Sequence, residues 1–144
     1  MERGTDAGGA DLMTRRTLAA AVSYFAIVFS VAFVLGVVRT LFVAPQFGDV
    51  VAVLMEVPLI LIFSWRAARW LVGRMSPPPL ATERLAVGLV AFALLMAAET
   101  TLSVALFDRS LAQQFAAYAK LAGAIGLAGQ MVFALIPLLA RPRR

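Results

Sequence analysis

The 144-residue sequence contains no cysteine and no histidine. Without cysteine there is no disulfide, no thiolate nucleophile and no thiolate metal ligand. Without histidine there is no imidazole base, and the commonest ligand for zinc or haem is missing. Charge is scarce too: 15% of residues are charged against 62% hydrophobic, with a mean hydropathy of +0.89. That balance excludes an ordinary soluble domain, and it is the opposite of the apolar-poor, charge-rich composition of a disordered chain. No aspartate falls inside a long apolar run. Intramembrane proteolysis by Ser–His or by paired aspartates is therefore excluded. No strand precedes a glycine-rich phosphate loop. The expectation is a non-enzymatic protein with no cofactor and no metal.

What the sequence has in abundance is long apolar runs. Four of them, each about 20 residues, have the length that crosses a bilayer core. They are expected as helices over 17–38, 50–72, 85–107 and 121–140. The fold class is thus an all-α integral membrane protein, an up-down four-helix transmembrane bundle. Residues 1–14, polar and glycine-rich, read as a disordered cytoplasmic tail ahead of a membrane domain over 15–144. Arg15-Arg16 raises a twin-arginine export signal, but the apolar run that follows exceeds the roughly 7–15 residues of a signal peptide and lacks its small-residue cleavage site. A retained first span is expected.

Connections are short. Ala44-Pro45-Gln46-Phe47-Gly48-Asp49 marks a turn, and Gly73-Arg74-Met75-Ser76-Pro77-Pro78-Pro79 a stiff connector. After Asp108-Arg109-Ser110, a mildly amphipathic stretch through Gln113, Gln114 and Tyr118 is either an interfacial helix or the first turn of span four. Short loops predict that sequential helices pack as antiparallel neighbours.

The basic residues give an orientation. Arg3, Arg15, Arg16, Arg66, Arg69, Arg74, Arg84, Arg141, Arg143 and Arg144 fall on one side, and only Arg39, Arg109 and Lys120 on the other. Under the positive-inside rule this places both termini in the cytoplasm. The net charge of +5 is then a topology signal, and no nucleic-acid partner is expected, because the bases form no separate basic domain.

Ionisable side chains within a span need a partner or a purpose. Glu56 in span two and Glu99 in span three are the two carboxylates so placed. At 1.5 Å per residue they lie roughly 9 and 12 Å below the outer ends of their helices, with Gln130 of span four at roughly 14 Å. Arg39 closes span one at that outer interface, so Arg39, Glu56, Glu99 and Gln130 form a candidate intramembrane polar cluster. It reads either as a structural lock on helix register, as a proton- or cation-binding site, or as a docking point for a partner helix. Pro58, two residues after Glu56, removes the backbone bond to the Leu54 carbonyl and favours a kink.

At the other end of span two, Trp65, Arg66, Arg69 and Trp70 read as interface anchors. Trp65/Arg69 and Arg66/Trp70 have the spacing for cation–π stacking. Small-residue stripes (Ala119, Ala122, Gly123, Gly126 and Gly129 in span four; Ala19, Ser23, Ala26 and Ser30 in span one; Ala93, Ala97, Thr101 and Ala105 in span three) most economically pack the bundle.

With Gly36-Val37-Val38-Arg39, Glu56-Val57-Pro58, Ala67-Ala68-Arg69-Trp70, Ala97-Ala98-Glu99 and Gly126-Leu127-Ala128-Gly129-Gln130 laid out, the chain resembles a family of small four-span inner-membrane proteins of GC-rich proteobacteria. The resemblance covers residues 17–140, and twelve arginines to a single lysine fit such a genome. It implies localisation and architecture, and no activity. The expected role is structural or accessory in the bacterial inner membrane, with the lipid bilayer and either a membrane-protein partner or a second copy as company. The alternative is a small transporter or ion-conducting protein that uses Glu56 and Glu99.

Overall fold

The computed structural model describes residues 3–76 and 78–141. Its helices are α1 (Arg3–Val38), α2 (Ala44–Phe47), α3 (Asp49–Arg74), α4 (Ala81–Phe107), α5 (Leu111–Tyr118) and α6 (Leu121–Leu139). Four of them, α1 extended through α2, then α3, α4 and α6, are long and apolar enough to cross a membrane. The chain is an all-α multi-pass membrane bundle.

Helix begins earlier than the sequence reading placed it. The polar segment expected to be a disordered tail is helical from Arg3 onward, while Met1 and Glu2 lie outside the described residues. Ala7, Ala10 and Leu12 are good helix formers, and Asp6 falls in the first turn, where negative charge is favoured. At the far end of α1, the helix passes into a π-helical turn over Arg39–Val43 and on into α2. Pro45 explains the widening: its ring would crowd the carbonyl four residues back in a regular α-turn. The chain reverses at Gly48, whose φ of 80° suits a residue without Cβ. Helix α4 starts at Ala81, ahead of the expected residue 85, because Glu83 Oε2 accepts the exposed Leu80 N–H at 2.7 Å. The amphipathic stretch after Ser110 is a separate helix, α5, capped by reciprocal bonds between Ser110 and Gln113.

The helix order differs from the expected one. Around the bundle the neighbours are α1–α3, α3–α6, α6–α4 and α4–α1. Spans two and three, α3 and α4, thus face each other across a diagonal instead of packing side by side. The connector between them explains how: an extended proline-rich strand covers about 3 Å per residue, enough to cross the bundle end. With chain direction alternating, α1 and α4 run parallel, as do α3 and α6.

Core and surface are inverted in size. The buried positions are rich in alanine (Ala20, Ala21, Ala52, Ala67, Ala68, Ala91, Ala134), whereas Val34, Leu59, Phe63, Leu89 and Leu135 point outward. Lipid solvates large apolar groups as well as a protein core does, so close helix approach, not hydrophobicity, selects what goes inside. Gly88 is the tightest contact: a Cβ there would lie 1.8 Å from the Ala134 carbonyl oxygen. Gly129 faces Val57 of α3 in the same way. By contrast, Ala19, Ala26 and Ser30 of α1, and Ala93, Ala97, Thr101 and Ala105 of α4, are exposed. These stripes do not pack the bundle, because the polar groups on the other faces fix the helix rotations.

Tyr24 and Phe133, from the diagonal pair α1 and α6, fill the axis, their rings stacked 4.7 Å apart. Pro137 lies inside α6 and has no N–H for the carbonyl of Phe133. Tyr24 replaces that donor: its hydroxyl reaches the Phe133 oxygen at 3.1 Å. At the same end of the bundle, Arg16 Nη2 donates to Glu83 Oε1 at 2.9 Å, tying α1 to α4. Arg84 Nε donates to the Leu138 carbonyl at 3.3 Å, tying α4 to α6.

Tyr24→Phe is expected to destabilise the folded bundle by about 1–2 kcal/mol, since it strands a buried carbonyl. In a Pro137→Ala background the loss is smaller, because the restored N–H takes that carbonyl. A double-mutant cycle in a steric-trapping or denaturant assay checks this; equal losses in both backgrounds would contradict the assignment.

Candidate functional site: an intramembrane polar clasp

All four spans contribute to a polar layer at the Arg39 end of the bundle. Arg39 opens the π-turn after α1, and its Nε lies 2.7 Å from Glu56 Oε2 of α3. The contact is too oblique for a linear hydrogen bond, so the attraction is chiefly between charges. Gly36, about one turn earlier, lies beside the pair: a Cβ there would stand 3.5 Å from Glu56 Oε1, an ordinary van der Waals contact. The side chains are 31% and 13% exposed, so the pair is screened less than a surface ion pair.

The second half of the layer joins α4 to α6. Gln130 Nε2 lies 2.7 Å from each oxygen of Glu99. Gln130 Oε1 is buried and accepts no hydrogen bond. Gly129, beside Gln130, lets α6 close on Val57, next to Glu56. Glu99 also lies within electrostatic reach of Glu56 and of Arg39, so the two pairs face each other across the α3–α4 diagonal.

The four residues picked from depth alone are therefore brought together as one ion pair and one hydrogen-bonded pair. Among the described residues no three carboxylates gather into a metal-binding group. Helix α3 continues through Pro58.

The structure adds Tyr118 of α5, whose hydroxyl accepts from Gln114 Nε2 at 3.3 Å. Burial pushes that hydroxyl above the ordinary tyrosine value. The Gln114 bond opposes the shift, and the negative charge of Glu99 adds to it. Tyr118 thus sits near the clasp, although its sequence signal was only that of an amphipathic stretch. Tyr24, Glu83 and Gly88 were missed as well. The available signals were a proline inside a span, which frees the carbonyl four residues earlier, and a carboxylate three residues after a helix start.

The second expected group lies at the opposite end of α3. Trp65, Arg66, Arg69 and Trp70 line an open groove together with Ile27 and Phe63. The cation–π pair there is not one of the two expected: Arg74 stacks over Trp70, 4.1 Å from its ring centre. Arg74 has the same four-residue spacing to Trp70 as Arg66, but from the C-terminal side, where the helix end frees its side chain. Trp65, Arg66 and Arg69 are exposed.

No family model, curated protein or solved structure matches the chain.

The ion pair makes a sharp expectation. Arg39→Met or Glu56→Met alone leaves a half-buried charge without its counter-charge, a loss of about 1–3 kcal/mol. The double variant Arg39→Met/Glu56→Met removes both charges and falls within about 1 kcal/mol of the native protein. Unfolding measured in lipid or detergent checks both. A double variant weaker than the sum of the single losses would contradict the pairing.

Proposed function

We propose that this chain is a small non-enzymatic protein of the bacterial inner membrane, with both termini in the cytoplasm and a structural or accessory role beside a larger membrane assembly. The single observation that carries the reading is the clasp: the two carboxylates within the spans are each engaged by a side chain from another helix, Glu56 by Arg39 and Glu99 by Gln130. Groups tied to one another in this way hold helices in register. The orientation rests on the basic residues, which crowd the Arg16 end, and the inner-membrane assignment rests on the resemblance described above.

A second reading has one observation in its favour. The hydrogen-bond partner of Glu99 is the neutral amide of Gln130, with another carboxylate, Glu56, in electrostatic reach. A carboxylate so placed is a candidate proton carrier, and the protein would then conduct protons or cations through Glu99 and Glu56.

Purification in a mild detergent followed by mass spectrometry tests the first reading. A defined membrane-protein partner at constant ratio is expected, and a chain that runs alone as a tight monomer removes the accessory role. Proton flux in liposomes separates the second: flux above empty vesicles that Glu99→Gln abolishes would replace the accessory reading with it.

A further inference from the structure

The groove on α3 at the Arg16 end carries chemistry that the clasp does not use. Two adjoining hollows share Arg69 and Trp70. One, of about 650 Å³, is walled mainly by Ile27, Phe63 and Trp65, with Arg66 at its side. The other, of about 290 Å³, is lined by Arg69, Trp70, Gly73, Arg74 and Arg141. Neither contains a carboxylate. Glu83, an acid at this end of the bundle, already uses one oxygen on Arg16 and the other on the Leu80 N–H. Among the described residues, no ion pair engages Arg66, Arg69, Arg74 or Arg141.

Depth sharpens the point. Counting along α3 from Arg74, Arg69 lies roughly 7 Å and Arg66 roughly 12 Å toward the bundle centre. Both are exposed on the outer surface of the helix. Guanidinium groups on a lipid-facing surface at that depth snorkel to the headgroup region, where lipid phosphates are the anions at hand. Their planar forks match phosphate oxygens two at a time.

We propose that this groove binds one anionic phospholipid, with its phosphate held by Arg69, Arg74 and Arg141 and its upper acyl chain lying along Trp65, Phe63 and Ile27. Charge complementarity selects the occupant. Three arginines line the second hollow, and a zwitterionic headgroup would bring its own cation against them. Trp70, fixed under Arg74, forms the shared wall between the headgroup end and the acyl end. Gly73 leaves the headgroup end open, because nothing lies within 4 Å of where its Cβ would be.

Native mass spectrometry of the full chain tests this, using phosphatidylglycerol and phosphatidylcholine with identical acyl chains. One phosphatidylglycerol per chain is expected, preferred over phosphatidylcholine by about tenfold or more. Arg69→Gln and Arg74→Gln each lower its retention roughly fivefold. Gly73→Leu fills the headgroup end without clash or change of charge and lowers retention as well, so the test does not depend on an arginine variant folding. Lys120→Gln removes one charge at the other end and leaves retention unchanged. Equal retention of the two lipids, an equal loss in Lys120→Gln, or no effect of Gly73→Leu would each overturn the proposal. So would a dimer that Gly73→Leu breaks with lipid retention unaltered, since a second copy would then occupy the groove.

Discussion

Inside a bilayer no water is available to satisfy a polar group, and every donor, acceptor and charge must find its partner within the protein. This constraint organises the whole bundle. Most side chains meet it by being apolar. The charged and amide side chains that bond across helices occupy two layers, one at each end, while Ser103 Oγ and Gln130 Oε1 are buried without a hydrogen-bond partner among the described residues. At one end Arg39 meets Glu56 and Gln130 meets Glu99. At the other, Arg16 meets Glu83 while Arg84 reaches the Leu138 carbonyl. Between them Tyr24 answers the carbonyl that Pro137 leaves unbonded.

The same constraint sets the rotation of each helix. Alanine stripes on α1 and α4 look like natural packing faces, yet they lie outside, and Ser30 and Thr101 bond the carbonyls of Ala26 and Ala97 in their own helices. Turning those stripes inward would carry Tyr24 and Glu99 out toward lipid. A stranded hydroxyl or carboxylate costs more than close backbone packing returns. Close approach occurs instead where it is compatible with the polar layers, at Gly88 against Ala134 and at Gly129 against Val57.

Much of this was legible from the residues. The spans are, because a run of about 20 apolar residues is set by the thickness of hydrocarbon. The depth of Arg39, Glu56, Glu99 and Gln130 is too, because helical rise is constant. The lateral order of the helices is not: a loop states how far apart two ends are at most, and the proline-rich connector reaches across a diagonal as readily as to a neighbour. Arg16 enters the sequence reading as a topology charge and Glu83 does not enter it, because near a span end a topology signal and an ion pair have the same sequence appearance. Tyr24 and Pro137 are more than a hundred positions apart, and only their three-dimensional meeting makes either meaningful.

The claim on which the account rests is that the buried carboxylates are held by side chains of other spans. Among the described residues, Gln130 and Glu99 form the glutamine–glutamate hydrogen bond. Side-chain ¹⁵N labels on glutamine and carboxyl ¹³C labels on glutamate therefore isolate this contact by dipolar recoupling in lipid bilayers. The account predicts a nitrogen-to-carbon distance of about 3 Å, as two 2.7 Å contacts to one carboxylate require, lost in Gln130→Leu. Absence of that coupling in the native chain, with the bundle intact, would contradict it.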